Sequence, residues 1–184
     1  MKKSWIVVLI VVVLLGISMM GSYNSLVNLS ETTNSNWAQV DVQLQRRADL
    51  IPNLVATVKG YAAHEEEILN NLADARSKLI GAQGVADKAA ADQELNSALS
   101  RLLAIVENYP NLKADVNFRQ LMDELAGTEN RIAVARKDYN DSVQIYNAKI
   151  KTLPTRLWAG LLGFGPREYF QAEAGAAVVP TVQF

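Results

Sequence analysis

The sequence predicts an all-α protein: an N-terminal transmembrane helix followed by an antiparallel up-and-down four-helix bundle with two long and two short helices. Three observations carry this. Ala and Leu make up about a quarter of the 184 residues, and Gly and Pro are sparse before residue 154. No charged residue occurs from Ser4 to Ser30. Two long stretches place apolar residues at alternating steps of three and four, the spacing of one packed helix face.

The uncharged stretch comes first. Its core, WIVVLIVVVLLGISMM, carries Trp5, Ile6, Leu9, Val13, Leu15 and Met20. About 20 apolar residues span a bilayer as a helix, so residues 1–22 form a membrane anchor. A cleaved signal peptide is the rival, but Ser18-Met19-Met20 is a poor cleavage site and the apolar run is long. Lys2 and Lys3 precede the span, and the next basic residue is Arg46. The positive-inside rule then places the N-terminus in the cytoplasm. The expected topology is single-pass, with an extracytoplasmic domain.

Residues 23–153 read as the bundle. The first helix runs from about Tyr23 to Lys59, with Trp37, Val40, Leu44, Arg47, Ile51, Leu54, Val58 and Tyr61 on its seam. Pro52 should kink or break it, since proline donates no amide proton to the carbonyl of Ala48. Gly60 is the expected terminator. The second helix starts near His64 and runs through Ile68, Leu72, Ala75 and Leu79. A loop at 81–85 precedes a third helix with Leu95, Leu99, Leu102, Val106 and Tyr109 on one face, ended by Pro110. The fourth runs from about Lys113 to Lys151, on the seam Phe118, Leu121, Leu125, Thr128, Ile132, Ala135, Tyr139, Val143, Tyr146 and Ile150.

Length then predicts arrangement. The two long helices are each about 55 Å at 1.5 Å per residue, and the short pair covers only their membrane-distal half. The proximal half is expected to be a two-helix stalk with an exposed apolar face. Each long seam holds one heptad stutter, at Leu29, Thr33, Trp37 and at Ala135, Tyr139, Val143. Setting Gly60 opposite Ala114 brings Thr33 beside Tyr139 and Arg47 near Gly127 and Thr128.

The strings QVDVQLQRRADLIPNLV and VKGYAAHEEEIL resemble the LemA family of bacterial membrane-anchored proteins. The resemblance continues through NFRQLMDELAGTENRIAVARKDYNDSVQIYNAKI and LWAGLLGFGPREYF, so it covers nearly the whole chain apart from the region around 81–91. It implies an N-terminal membrane helix and an antiparallel bundle, and no particular activity. LemA-like proteins are often encoded near membrane zinc metalloproteases and TPM-domain proteins, which makes these candidate partners by association.

Composition removes several functions. A formal net charge of −1 offers no electrostatic case for nucleic acid. Zero cysteines exclude disulfides, thiol catalysis and cysteine-ligated metals. His64 is the single histidine. His64-Glu65 begins like a zinc-protease helix, but position 68 is Ile, so helix capping is the plainer account. Glu65, Glu66 and Glu67 point in different directions and read as a solvated helix start rather than a cation site. No catalytic, metal or cofactor residues are assigned.

Three sets of residues stand out as candidate sites. Asp41, Gln45, Arg46, Arg47 and Asp49 form a tight charge cluster, either a structural network reaching Glu124 or Glu129 or a docking surface. Tyr139-Asn140, Tyr146-Asn147 and Tyr23-Asn24 should hydrogen-bond across the stalk, or meet a partner. Residues 154–184 form an apolar, Gly-rich tail in which Trp158, Leu161, Leu162 and Phe164 either enter the membrane interface or fold over the bundle. The end, AAVVPTVQF, is apolar, and Phe184 could offer a carboxylate for recognition.

The functional expectation is a non-enzymatic, membrane-anchored scaffold of the cell envelope that presents a rigid helical surface to a membrane neighbour. Lipid binding or membrane remodelling through the tail is the alternative, and an unrecognised hydrolase using His64 is a third class. The bilayer is one partner, and self-association is a further expectation.

Overall fold

The computed structural model describes residues 2–62 and 64–171, with side chains from Trp5 onward. The AAVVPTVQF segment and Phe184 lie outside the described residues. Among these, the elements are all helical: α1 (Lys2–Lys59), α2 (Glu66–Gly81), α3 (Gly84–Val106), α4 (Pro110–Ala114), α5 (Val116–Lys151) and α6 (Thr155–Ala159). Membrane span and first bundle helix are one uninterrupted helix of 58 residues. The predicted third helix is shorter than expected, because Pro110 opens α4 at a helix start, where its missing amide costs nothing. The loop between α2 and α3 contracts to Ala82 and Gln83, with Gly84 at φ +77° supplying the turn.

Of the kink or break expected at Pro52, the break does not occur. α1 continues through it to Lys59. Proline leaves the carbonyl of Ala48 without its helical donor, and Arg76 on α2 supplies one: its Nε donates to Ala48 O at 2.9 Å. A buried carbonyl that would otherwise be orphaned is thereby satisfied by a charged donor.

The chain divides into two compact units. Unit 1 comprises the residues up to Ala38 and Lys137–Glu168. Unit 2 comprises Gln39–Arg136 and, among the described residues, 169–171.

In unit 2, α2 and α3 pack with the later part of α1 and the earlier part of α5. Its core holds Val40, Leu44, Ile51, Leu54 and Val58 of α1 with Leu72, Leu79, Leu95, Leu102 and Ile132, all essentially inaccessible. These are the predicted seams, except that Tyr61 is exposed. Leu69 and Leu112 are also buried. An ion pair between Arg47 and Glu129 fixes the antiparallel register, one residue from the expected Thr128.

In unit 1, Asn36 Nδ2 donates to the carbonyl of Asp138 at 3.2 Å, and Trp37 tilts against Tyr139 with centroids 5.3 Å apart. The stutter residue Thr33 is fully buried and returns its hydroxyl to Leu29 O at 2.9 Å. The two helices are not left as a bare pair. Residues 155–168 pack on them as a third segment, with Leu26, Tyr146 and Ala159 forming a core joined by Leu29, Ile150 and Phe164. The exposed apolar face expected of a two-helix stalk is occupied by this segment.

Candidate functional site

The charge cluster read from sequence is pulled in several directions. Arg47 faces inward and is 4 % exposed. Its Nη1 lies 3.1 Å from Asp92 Oδ1 and 2.6 Å from Glu129 Oε2, and its Nη2 donates to Asn96 Oδ1. Burial pushes the Asp92 carboxyl above the ordinary aspartate range, and the neighbouring Glu129 charge adds to the rise. Attraction to Arg47 and Arg136 opposes it. The remaining residues point elsewhere. Asp41 pairs with Lys88 of α3. Arg46 reaches Glu124 of α5 at 3.2 Å, both half exposed. Gln45 donates to Asp49 at 2.9 Å on the solvent face.

Glu124 and Glu129 therefore pair with Arg46 and Arg47 respectively. Asp92 and Asn96 were not foreseen, yet a signal existed. Asp92 stands three residues before Leu95 and so falls on the α3 seam, where a carboxylate needs a buried cation.

The far end of unit 2 is tied by tyrosines. Tyr61 Oη donates to Asp115 Oδ2 at 2.9 Å, and Tyr109 Oη to Glu65 Oε1 at 2.9 Å. Asp115 Oδ1 accepts from the Phe118 amide at 2.9 Å, which caps α5. That amide, with the Tyr61 hydroxyl, holds the Asp115 carboxyl below its usual range. The hydrogen bond to Asp115 raises Tyr61 in return. Glu66 and Glu67 occupy the first turn of α2, and His64 is exposed just before it.

Beside this end of unit 2 an open groove, walled mainly by polar residues, runs between α1 and α5. It has a volume of about 640 Å³ and is lined by Asn53, Thr57, Asn117, Gln120, Gly127 and Arg131 among others. A side chain added at Gly127 would meet only Arg131 Nη1, at 3.8 Å. No internal contact requires that glycine.

In unit 1, Tyr23, Tyr139, Tyr146 and Asn147 meet the C-terminal segment. Asn147 clamps the main chain of Arg167: its Nδ2 donates to the carbonyl and its Oδ1 accepts from the amide, each at 2.8 Å. Tyr139 Oη donates to Glu168 O at 2.8 Å. The Arg167 guanidinium lies over the Tyr146 ring, 5.4 Å from its centroid, and donates to Ser30 Oγ at 2.8 Å. Tyr23 meets Phe164 edge-on at 6.0 Å. The Trp158 indole donates to Ser18 Oγ at 3.4 Å.

The tail residues singled out from sequence also separate. Trp158, Leu162 and Phe164 are half-buried, whereas Leu161 is exposed. In the span, Trp5, Ile6, Leu9, Val13, Leu15 and Met20 are all exposed. Among the described residues, α1 is the helix long and apolar enough to cross a membrane.

An apolar helix continuous with a helical protein domain defines a membrane-associated, all-helical protein. The family model for the LemA family matches residues 36–184, and the chain belongs to that family. Its relatives include magnetosome protein MamQ 2 of Paramagnetospirillum magneticum, 33 % identical over 189 residues, covering 88 % of this chain and 69 % of that protein. Magnetosome protein MamQ of Magnetospirillum gryphiswaldense is 32 % identical over the same coverage. Protein LemA of Metamycoplasma hominis is 29 % identical over 147 residues, covering 78 % of this chain and 65 % of the relative.

Proposed function

We propose that this protein is a non-enzymatic membrane scaffold that presents a helical surface to a membrane-protein neighbour. The observation that carries this is the unbroken α1: the span passes into the bundle with no intervening loop. A docking surface joined to a span is confined to the same membrane as its partner, which shortens the search for it. The surface offered is the polar groove between α1 and α5 of unit 2, with Gln45 and Asp49 on the neighbouring face of α1. Gly127 in its wall leaves room for another backbone to approach closely. A membrane zinc metalloprotease or a TPM-domain protein is the partner class, and a second copy of this chain is the alternative occupant.

The bundle belongs outside the cytoplasm of a bacterial inner membrane, on the strength of Lys2 and Lys3. The rule weighs charges close to the span, and long following domains translocate largely regardless of their charge. The chain lacks cysteine, so Ser35→Cys gives a single label. Labelling by an impermeant maleimide in intact cells is the expected result, and labelling only after permeabilisation would reverse the orientation.

Photocrosslinking in the membrane tests the scaffold role, with probes at Gln45 and at Trp158. One membrane protein captured at Gln45, and lost when Gly127→Trp fills the groove, supports the scaffold. Lipid adducts alone, concentrated at Trp158, favour the second reading: lipid binding through the C-terminal segment. The exposed Leu161 beside the half-buried Trp158 favours that reading. A catalytic role for His64 would show as lost function in a folded His64→Ala protein.

A further inference from the structure

Three leucines at the C-terminal turn of unit 1 are left bare: Leu153 is 71 % exposed, Leu157 64 % and Leu161 76 %. They recur every fourth residue across α6 and the turns on either side of it. In the same stretch Trp158 turns toward α1 and Phe164 packs against Leu26 of α1 and Tyr146 of α5, while Leu162 is half-buried. Three neighbouring leucines outside a core need an explanation, unlike scattered ones.

Their height along α1 supplies it. Trp158 bonds to Ser18, and Ser18 is inside the uncharged stretch that begins at Ser4. About 20 Å of helix separates Trp5 from Ser18 at 1.5 Å per residue, against a hydrocarbon core of about 30 Å. Ser18 therefore lies inside the far boundary of the bilayer when Trp5 sits at the near one. Residues 5–17 make no burying contact within the chain; burial begins at Ser18, where α6 arrives. Tyr23 stands about 8 Å further along α1, at the far boundary, where interfacial aromatic residues gather.

Charge points the same way. From Ser142 to Arg167 there is no acidic residue, and Lys149, Lys151, Arg156 and Arg167 are basic. Arg167 is engaged by Ser30 and Tyr146. Lys151 and Arg156 are exposed on either side of Leu153, and Lys149 is half-buried nearby. Their long stems let the charged ends rise to headgroups while leucines sit deeper.

We propose that the edge formed by Leu153, Leu157 and Leu161 lies in the headgroup–acyl boundary of the same bilayer that α1 crosses, with Lys149, Lys151 and Arg156 set against anionic phospholipid. The protein then touches its membrane twice: once through the span and once through this in-plane edge, of the kind amphipathic segments use. The inference rests on α1 being the span and not on the scaffold role.

Single spin labels on the otherwise cysteine-free full-length chain test it. Labels go at Leu157→Cys, Leu161→Cys, Val12→Cys in the span and Arg101→Cys on the exposed face of α3. The protein is reconstituted in vesicles of phosphatidylcholine, with and without phosphatidylglycerol. The expected result is loss of accessibility to a water-soluble nickel chelate at Leu157 and Leu161, down to the level at Val12, with Arg101 remaining fully accessible. Arg101-like accessibility at both leucines, with Val12 still protected, overturns the proposal and leaves the anchor standing. Protection accompanied by dipolar broadening between labels puts a second copy there instead and also overturns it. Lys151→Glu with Arg156→Glu should raise accessibility at Leu157 in the phosphatidylglycerol vesicles only. No change there refutes the assignment of anionic headgroups. All these sites are exposed, so circular dichroism should report an unaltered helix content.

Discussion

Removing the Arg76 guanidinium should unfasten α1 at one carbonyl. In Arg76→Met the apolar stem stays and the donor to Ala48 O is lost. Ala48 is fully buried, and Pro52 can donate no amide proton in its place. An orphaned buried acceptor costs about 1–3 kcal/mol. At roughly 3–5 °C per kcal/mol for a domain of this size, the melting temperature should fall by about 3–15 °C. The decisive measurement is a double-mutant cycle followed by circular dichroism on the full-length chain in detergent. Pro52→Ala restores the helical amide, which then satisfies Ala48 O. In that background Arg76→Met should cost less than about 0.5 kcal/mol, giving a coupling of at least about 0.5 kcal/mol. Additivity within about 0.5 kcal/mol would refute the account, because the Arg76 bond would then be independent of the proline.

Four further outcomes are expected. Gly127→Ala should raise stability by about 0.5–1 kcal/mol, since mid-helix glycine costs that much and the added methyl meets only Arg131; a fall in melting temperature would show that the groove is tighter than described. Asn147→Ala should remove both bonds to the Arg167 main chain, about 2 kcal/mol together, and trypsin cleavage after Arg167 should accelerate on the order of tenfold; unchanged cleavage would mean the segment is held elsewhere. Asp92 binds its proton more tightly when folded, so its ionisation penalty is absent below the unfolded pKa and grows as pH rises through the window up to the folded value. The stability of Asp92→Asn relative to the parent should therefore climb with pH across that window in urea titrations, and a flat or falling difference would sink the assignment. Asp115 behaves oppositely: its contribution is present above the unfolded pKa and is lost as pH falls through the lowered folded value, so amide protection factors at the start of α5, taken against the intrinsic exchange rate at each pH, should fall in acid and should be low at all pH in Asp115→Ala.

What could be read from sequence was whatever repeats along one helix. The seams of α1 and α5 are periodic, and the register drawn from them set Thr33 beside Tyr139 and Arg47 near Thr128; Tyr139 in fact meets Trp37, one turn along, and Arg47 pairs with Glu129. The resemblance rested on the same stretches, and the family match over residues 36–184 agrees with it. What escaped were single contacts between distant segments. Nothing local to Arg76 announces that it serves a proline in another helix. Asn147 looked like one end of a bond between helices, and instead reads the backbone of Arg167. The charge cluster looked continuous because Asp41 to Asp49 are adjacent in sequence. Successive helical residues point in different directions, so the five were shared among separate partners.

The Arg167–Ser30 bond joins residues 137 positions apart. Ser30 is made and α1 enters the membrane long before Arg167 exists. Unit 2 draws most of its described residues from one continuous stretch, Gln39–Arg136, and can assemble while the remainder is still being translated. Unit 1 cannot: Leu26 and Tyr146 wait for Ala159 and Phe164 to complete their core. Closing so long a loop costs more entropy than the local pairing of α2 with α3. During biogenesis the bundle should thus appear first, and the collar around the membrane-proximal helix last. A released chain truncated before residue 164 should be protease-resistant in unit 2 and still cleavable along residues 137–151.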